Sequence, residues 1–165
     1  MKKFFFFSAL FFLVSLFFFS SAIAQRVFDE ANILSAEEEE KIENEIIEFQ
    51  KDTAIDFAFL STQKPITSQR DYADSFYDSK SFGYGKDNSG ILYFVDMYNR
   101  IPYLCTTGIA IDFMTDARIA NAHEICFEDL KNGDYYEAIQ KMIVVLKAYI
   151  YDGIPFGQYT YFKKD

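Results

Sequence analysis

The sequence predicts an α/β fold, an α/β/α sandwich in which about four helices flank a small mixed β-sheet. Residues 91–95 are an apolar run, rich in β-branched and aromatic side chains and too short for a helix, so we expect a strand. Residues 54–60 alternate, with Ile55, Phe57 and Phe59 on one face, and predict another strand. A helical pattern lies between them, and strand, helix, strand in that order predicts parallel pairing through a right-handed crossover. A third strand, residues 101–107, follows a turn of residues 98–100 and must therefore return antiparallel.

The first helix is predicted to begin at Ser35. Ser35 and Glu38 have the spacing of a capping box, in which a hydroxyl and a carboxylate bond to each other's backbone N–H groups. The acidic run 37–40 favours the positive end of the helix dipole and is expected to be a solvated helix start. Apolar residues then recur at helical spacing and predict one buried face: Ile42, Ile46 and Phe49.

Three further helices are predicted from the same kinds of signal. A short one before Gly83 carries Tyr72, Ala73, Phe76 and Tyr77. The next begins near Thr115 or Asp116, continues to Leu130 and stops at Asn132-Gly133. The last begins at Asp134 with Glu137, in the capping-box style, and its buried face is predicted to hold Ile139, Met142, Ile143, Leu146 and Ile150.

The stretch from Phe82 to Met97 is a polar loop that leads into the predicted central strand. The loop holds three glycines and the pair Asp87-Asn88, a composition typical of a backbone that bends sharply and presents side-chain oxygens. A loop of oxygen donors next to a rigid strand is a common place for function.

The N-terminal residues 1–24 are predicted to be a signal peptide. Two lysines precede the apolar run 4–19, and Ala22-Ile23-Ala24 offers the small residues of a cleavage site, so we expect cleavage after Ala24 and a secreted or periplasmic protein. The alternative is an uncleaved N-terminal signal anchor, because residues 4–24 together approach the length of a membrane span. We expect residues 25–152 to form one domain and 153–165 an irregular C-terminal tail.

The charge of residues 25–165 excludes some partners. This part carries 14 basic and 25 acidic side chains, a formal net charge of −11. Such a domain repels nucleic acid and anionic lipid headgroups. It contains no second hydrophobic span, so a cleaved chain is expected to have no membrane-spanning segment.

The two cysteines, Cys105 and Cys126, leave two alternatives open. In an oxidising compartment they permit one disulfide. The commoner alternative is two small buried side chains with free thiols.

The motifs of several enzyme classes are absent from the sequence. There is no G-x-S-x-G, no P-loop and no H-E-x-x-H, and the single histidine, His123, has no second histidine or cysteine at zinc-ligand spacing. His123 is therefore expected to be a surface or boundary residue. Arg100 is expected to be a solvated arginine of the turn, and the alternative is that it holds a carboxylate of a partner.

Five sequence motifs, in the order in which the family has them, resemble the TPM domain family: VFDEANILS, FGYGKDNSGILYFVD, NRIPYLCTTG, TDARI and NGDYYEAI. The resemblance covers roughly residues 27–149. It implies an α/β/α sandwich outside the cytoplasm, calcium or other divalent-cation binding in some members, acid-phosphatase activity in plant relatives, and assembly or repair roles in membrane-associated complexes. The sequence lacks the C-terminal membrane helix and Gly-rich tail that many bacterial members carry, and it has no Trp where the family often places one before the Gly-rich loop.

A calcium site is predicted at one edge of the sheet. A hairpin between the second and third predicted strands brings Asp87 and Asn88 to the edge that also carries Asp112 and Asp116. The first predicted strand, if parallel, brings Asp56 to the same edge, whereas Asp96 lies at the other end. Calcium prefers six to eight oxygen ligands, which carboxylates, an Asn carbonyl, backbone carbonyls and water supply. The alternative is that Asp116 caps its helix and Asp87-Asn88 shape a turn.

Two functions from different classes follow. The first is a calcium-binding or other divalent-cation-binding interaction module of the cell envelope, with an envelope protein as partner. The second is a metal-assisted acid phosphatase, in which the ion polarises a phosphoryl oxygen. Phosphatase chemistry also needs a positive group near the metal, and Arg118 and Lys86 are the candidates by sequence position.

Overall fold

A computed structural model describes residues 24–158 of the chain. The predicted signal peptide up to residue 23 and tail residues 159–165 lie outside the described residues. Within residues 24–158, no helix is long and apolar enough to cross a membrane. The described part forms four strands and five helices: β1 Val27–Asp29, α1 Ala36–Thr53, β2 Asp56–Thr62, α2 Gln69–Lys80, β3 Gly90–Asp96, β4 Ile101–Thr107, α3 Ala110–Phe113, α4 Asp116–Asn132 and α5 Tyr135–Asp152.

The four strands form one mixed sheet in the order β1-β2-β3-β4. β1 pairs parallel with β2, β2 pairs parallel with β3, and β4 returns antiparallel to β3. The predicted parallel pair and the predicted hairpin are therefore confirmed. Strand β1 was not predicted, because three residues are too few to show a period of two.

Helices cover both faces of the sheet, as the predicted α/β/α sandwich requires. One face carries Phe57, Phe59 and Tyr93 and packs in a core cluster with buried residues of α1, α4 and α5. The opposite face carries Leu60 and Phe94 and packs against α2. The short helix α3 was not predicted as a separate element, since one turn of helix has no readable periodicity.

The two crossovers of the sheet have opposite hands. The chain moves from β1 to β2 through α1 and from β2 to β3 through α2, one strand along the sheet each time. Because α1 and α2 lie on opposite faces, only one of these crossovers has the common right-handed form. The loops after β1 and β2 therefore diverge to opposite faces at the carboxyl ends of the parallel strands.

The helix ends explain most of the element boundaries. The capping box of Ser35 and Glu38 is present, Thr115 accepts from the Arg118 N–H at 3.3 Å, and Gly133 ends α4 in a left-handed conformation. Two details differ from the predictions. Ala54 is the left-handed C-cap of α1, so the strand begins at Asp56 and not at residue 54. Asp134 precedes α5 as predicted, but its side chain makes no cap hydrogen bond because its backbone is not extended.

The two cysteines are free and buried. Cys105 belongs to the cluster beneath α2, whereas Cys126 belongs to the cluster on the opposite face of the sheet. With the sheet between them they cannot form a bridge without rearrangement of the fold. The structure thus agrees with the alternative of two small buried side chains.

His123 lies on α4 and is half-buried, in agreement with the predicted boundary position. Its Nε2 and the hydroxyl of Tyr93 are both buried without a hydrogen-bond partner among the described residues, and the two rings lie 6.2 Å apart. Burial lowers the pKa of His123 below its ordinary value. Protonation of this ring is therefore coupled to unfolding.

We expect the protein to lose stability as the pH falls below about 6.5, the ordinary pKa of histidine in the unfolded chain. The unfolded state binds the proton first, because the pKa of His123 is lower in the folded state. The stabilising effect is fully present above that pH and is lost as the pH falls through the folded-state pKa, by at most about 1.4 kcal/mol per pH unit. Urea unfolding between about pH 5 and 7 measures it. His123→Gln is expected to make the free energy of unfolding less dependent on pH. An equal pH dependence in this variant would show that His123 is not its cause.

Candidate functional site

The predicted site residues are carried by the amino ends of β2 and β3 and by the end of β4. Asp56 pairs with Gly90, and Gly90 pairs with Thr107, so these three positions lie at one edge of the sheet. Asp96 pairs with Thr62 and Ile101 at the opposite edge. The connectivity used to predict the site is therefore correct.

The loop that carries Asp87 and Asn88 is fixed through its backbone. A bridge between Tyr84 and Ser89 closes it, and Asn88 adopts a left-handed conformation with φ 49°. The carbonyl oxygen of Asn88 accepts hydrogen bonds from the Thr107 hydroxyl at 2.6 Å and the Tyr77 hydroxyl at 3.3 Å. The side chains of Asp87 and Asn88 remain exposed. This hydrogen-bonded loop thus presents two oxygen-bearing side chains to solvent.

The Asp87 loop lies directly against the turn at Gly108. A Cβ atom at Gly108 would lie 2.6 Å from the Asp87 carbonyl oxygen and 2.5 Å from Ser89 Oγ. Ser89 Oγ also accepts from the Ile109 N–H at 3.1 Å. Gly108 leads into α3, which carries the buried Asp112, and then into α4 with Asp116. The structure therefore joins the loop to the segment that carries two more of the predicted ligands.

Asp56 reaches the predicted edge, but its carboxylate already has protein partners. Oδ1 lies 2.8 Å from Nε of Arg26 in a buried ion pair, and Oδ2 accepts from the Gly83 N–H at 2.9 Å. The Arg26 guanidinium lies 5.0 Å from the ring centre of Phe82. Asp56 therefore fastens the start of the loop to the segment before β1. Sequence reasoning missed Arg26 because it missed β1.

The predicted calcium ligands do not form a compact group of acidic side chains. Across residues 24–158, no group of three or more His, Cys, Asp or Glu side chains comes close enough to hold a metal ion. An ion at this edge would depend on Asp87, on backbone and Asn88 oxygens and on water, with Asp112 and Asp116 on the adjoining segment. Asp116 is not the cap of its helix, since Thr115 has that role and Asp116 lies exposed in the first turn.

Arg118 is bound within the fold and not available to a substrate. Its Nη1 donates to the carbonyl oxygens of Phe113, Tyr149 and Gly153 at 2.9, 3.0 and 2.9 Å. The guanidinium also stacks on the Tyr149 ring at 4.9 Å. It ties α4 to the end of α5. Of the two cationic candidates for phosphoryl chemistry, only Lys86 remains exposed in the loop.

The carboxyl ends of the parallel strands hold a second polar cluster that the sequence did not reveal. Asp29 accepts from the Ser61 hydroxyl and from the Leu34 N–H, and Glu30 pairs with Lys64 at 2.6 Å. Asp96 is fully buried, yet hydrogen bonds from Asn99 and Gln69 outweigh burial and hold its pKa below the ordinary value. The main acceptors of this cluster are occupied by neighbouring groups, so the cluster stabilises the loops that diverge here.

Comparison with known proteins gives a consistent result. The family that matches is the TPM domain, over residues 27–149. UPF0603 protein YdjH of Bacillus subtilis is 29% identical over 125 residues, which is 75% of this chain and 47% of that protein. The chain thus spans about half the length of this relative.

Solved structures share the fold. The N-terminal domain of a P. gingivalis protein aligns with a TM-score of 0.69 and 18% identity over 81% of this chain and 87% of that one. The BA42 protein of Bizionia argentinensis aligns with a TM-score of 0.65 and 19% identity over 74% and 84% of the two chains. At these identities the likeness shows the architecture alone.

Proposed function

Because this chain belongs to the TPM domain family, we propose that it is an extracytoplasmic TPM-domain protein that binds calcium and acts as an interaction module of the cell envelope. One observation carries the proposal. The hydrogen-bonded Asp87-Asn88 loop presents exposed oxygens while its backbone packs against Gly108, which leads to Asp112 and Asp116. Asp56 contributes by holding the loop in place through Arg26 and the Gly83 N–H.

The affinity for calcium should be low. Calcium affinity rises with the number of charged ligands and with the rigidity of the site, and extracellular modules bind with Kd values of about 10⁻⁴–10⁻³ M. Because no three His, Cys, Asp or Glu side chains cluster in the described part of the chain, we expect a Kd in this weak range. A low affinity suits a module outside the cytoplasm whose ion orders an edge of the sheet before a partner protein docks.

Calorimetric titration of the purified protein with calcium is expected to show millimolar binding together with a rise in Tm. Asp87→Ala and Asp116→Ala should each weaken binding severalfold, because each removes a charged oxygen ligand. Asp71→Ala is a matched control, since Asp71 is also an exposed acid in the first turn of a helix but lies on α2. No binding at millimolar calcium, or equal losses in all three variants, would refute the site.

The location and the partner are tested separately from the ion. N-terminal sequencing of protein from the envelope fraction distinguishes a chain that begins at Gln25 from one that retains the apolar segment as an anchor. An envelope partner that docks at this edge should be retained in calcium and released by a chelator. If Asp87→Ala retained the partner as well as the wild type does, the docking surface would lie elsewhere.

A metal-assisted phosphatase has less support from the geometry. Arg118 is held by three backbone carbonyls, so Lys86 alone would have to balance the phosphoryl charge. Hydrolysis of an aryl phosphate by the wild-type protein, absent from the double variant Asp87→Ala, Asp116→Ala, would favour the enzyme over the module.

A further inference from the structure

A cavity of about 510 Å³ lies between the β3–β4 hairpin and the C-terminal end of α4. This volume is within the range of about 300–1,000 Å³ that is typical of small-molecule sites. Apolar side chains of both elements line it: Val95, Met97, Pro102 and Leu130. The cavity is at the hairpin-turn end of the sheet, opposite the Asp87 edge. It is therefore a separate place from the proposed calcium site.

Two cationic side chains, Arg100 and Lys131, also line this cavity. Arg100 is exposed and makes no ion pair with any residue in the described range 24–158. Lys131 lies 3.5 Å from Glu128, but their side chains are 61% and 69% exposed, so water screens the pair. Both cations thus line one apolar cavity on a chain with a formal net charge of −9, whereas the nearby acidic side chains Glu128 and Asp134 are not part of its lining.

The dipoles of the two helices that meet beside the cavity add little net charge to it, so the charge at the cavity comes from side chains. The negative end of α4 and the positive end of α5 meet at Gly133 and Asp134, and they oppose each other. The exposed ring of Phe127 lies 5.9 Å from Nζ of Lys131 and extends the apolar lining beside the charge. An apolar lining with cations beside it is complementary to an anion that carries a hydrocarbon body.

Arg100 occupies a backbone position that does not favour arginine. Its φ of 57° is left-handed, a region that glycine enters without strain and other residues enter at a cost. Strained residues of this kind cluster at binding sites.

We propose that this cavity binds a small organic carboxylate with an aliphatic or aromatic body. The carboxylate pairs with Arg100 and Lys131, and the hydrocarbon lies on Val95, Pro102 and Leu130. Arg recognises carboxylates through two parallel N–H donors, which gives this end of the ligand its orientation. The inference does not depend on calcium binding and is tested in a chelator.

Octanoate is the probe, and octan-1-ol and octylammonium are its uncharged and cationic counterparts. Octanoate is expected to shift the backbone NMR signals of the hairpin and of the end of α4, and to bind at least tenfold more tightly than either counterpart. Equal binding of octan-1-ol would overturn the proposal. So would NMR shifts confined to the apolar groove between α1 and α5, which Phe49 and Val144 line.

Arg100→Gly separates binding from folding. The change relieves the left-handed strain, so the variant should keep or raise its Tm while octanoate binding falls at least tenfold. Lys131→Gln should weaken binding severalfold. Lys51→Gln is the matched control, because Lys51 forms the same i,i+3 pair with Glu48 on α1, at 3.3 Å, and should bind as the wild type does. Wild-type affinity in Arg100→Gly would show that the guanidinium does not hold the anion.

Discussion

Asp56→Ala is expected to lower the free energy of unfolding by about 3–5 kcal/mol, because it leaves a guanidinium without its buried partner. Asp56 is 1% exposed, and its carboxylate accepts from Arg26 at 2.8 Å and from the Gly83 N–H at 2.9 Å. Loss of the carboxylate leaves Arg26 Nε, before β1, and the Gly83 N–H, at the start of the loop, without their acceptor. Urea unfolding in a chelator measures the effect without any contribution from calcium.

Asp52→Ala is the control for this prediction. Asp52 also pairs with a cation, Lys147, but the pair lies on the surface and joins two helices across solvent. Loss of this pair should lower the free energy of unfolding much less than Asp56→Ala does, since exposed ion pairs contribute little to stability. If the two variants unfolded at the same urea concentration, the Arg26–Asp56 pair would be no more than a surface contact.

Much of the fold was predictable because its signals are local. The strand at residues 101–107 and the helix starts at Ser35 and Thr115 follow from a short turn and from capping residues. Strand β1 was not predictable, because its three residues become a strand only by pairing with β2. The ion pair of Arg26 and the carboxyl-end cluster depend on β1, so both were missed with it.

The candidate site was predictable in its connectivity and not in its side-chain partners. The order of strands is enough to bring Asp56, the Asp87 loop and the end of β4 to one edge. Sequence position does not show which partner a charged side chain has. Arg118 lies two residues from the predicted ligand Asp116, yet its guanidinium points to the end of α5. Tertiary packing decides such orientations.

Gly108→Ala is expected to destabilise the protein by about 2–6 kcal/mol and to weaken calcium binding. The new Cβ would lie 2.5 Å from Ser89 Oγ, 2.6 Å from the Asp87 carbonyl oxygen and 2.7 Å from Ser89 Cα. Overpacking of this kind costs about 1–3 kcal/mol, and a left-handed backbone adds about 1–3 kcal/mol for a residue other than glycine. The loop must move away from the turn, which separates Asp87 from the segment of Asp112 and Asp116.

Gly85→Ala isolates the backbone cost from the contact. Gly85 lies in the same loop with φ +73°, but a Cβ there would meet nothing within 4 Å. This variant should therefore lose only the left-handed cost, about 1–3 kcal/mol, and should bind calcium as the wild type does. The difference between the two variants in the free energy of unfolding measures how much the packing of the loop against the turn stabilises the fold. The difference in their calcium Kd values measures how much the same packing contributes to calcium affinity. Equal stability and equal affinity in the two variants would show that the site does not need this contact.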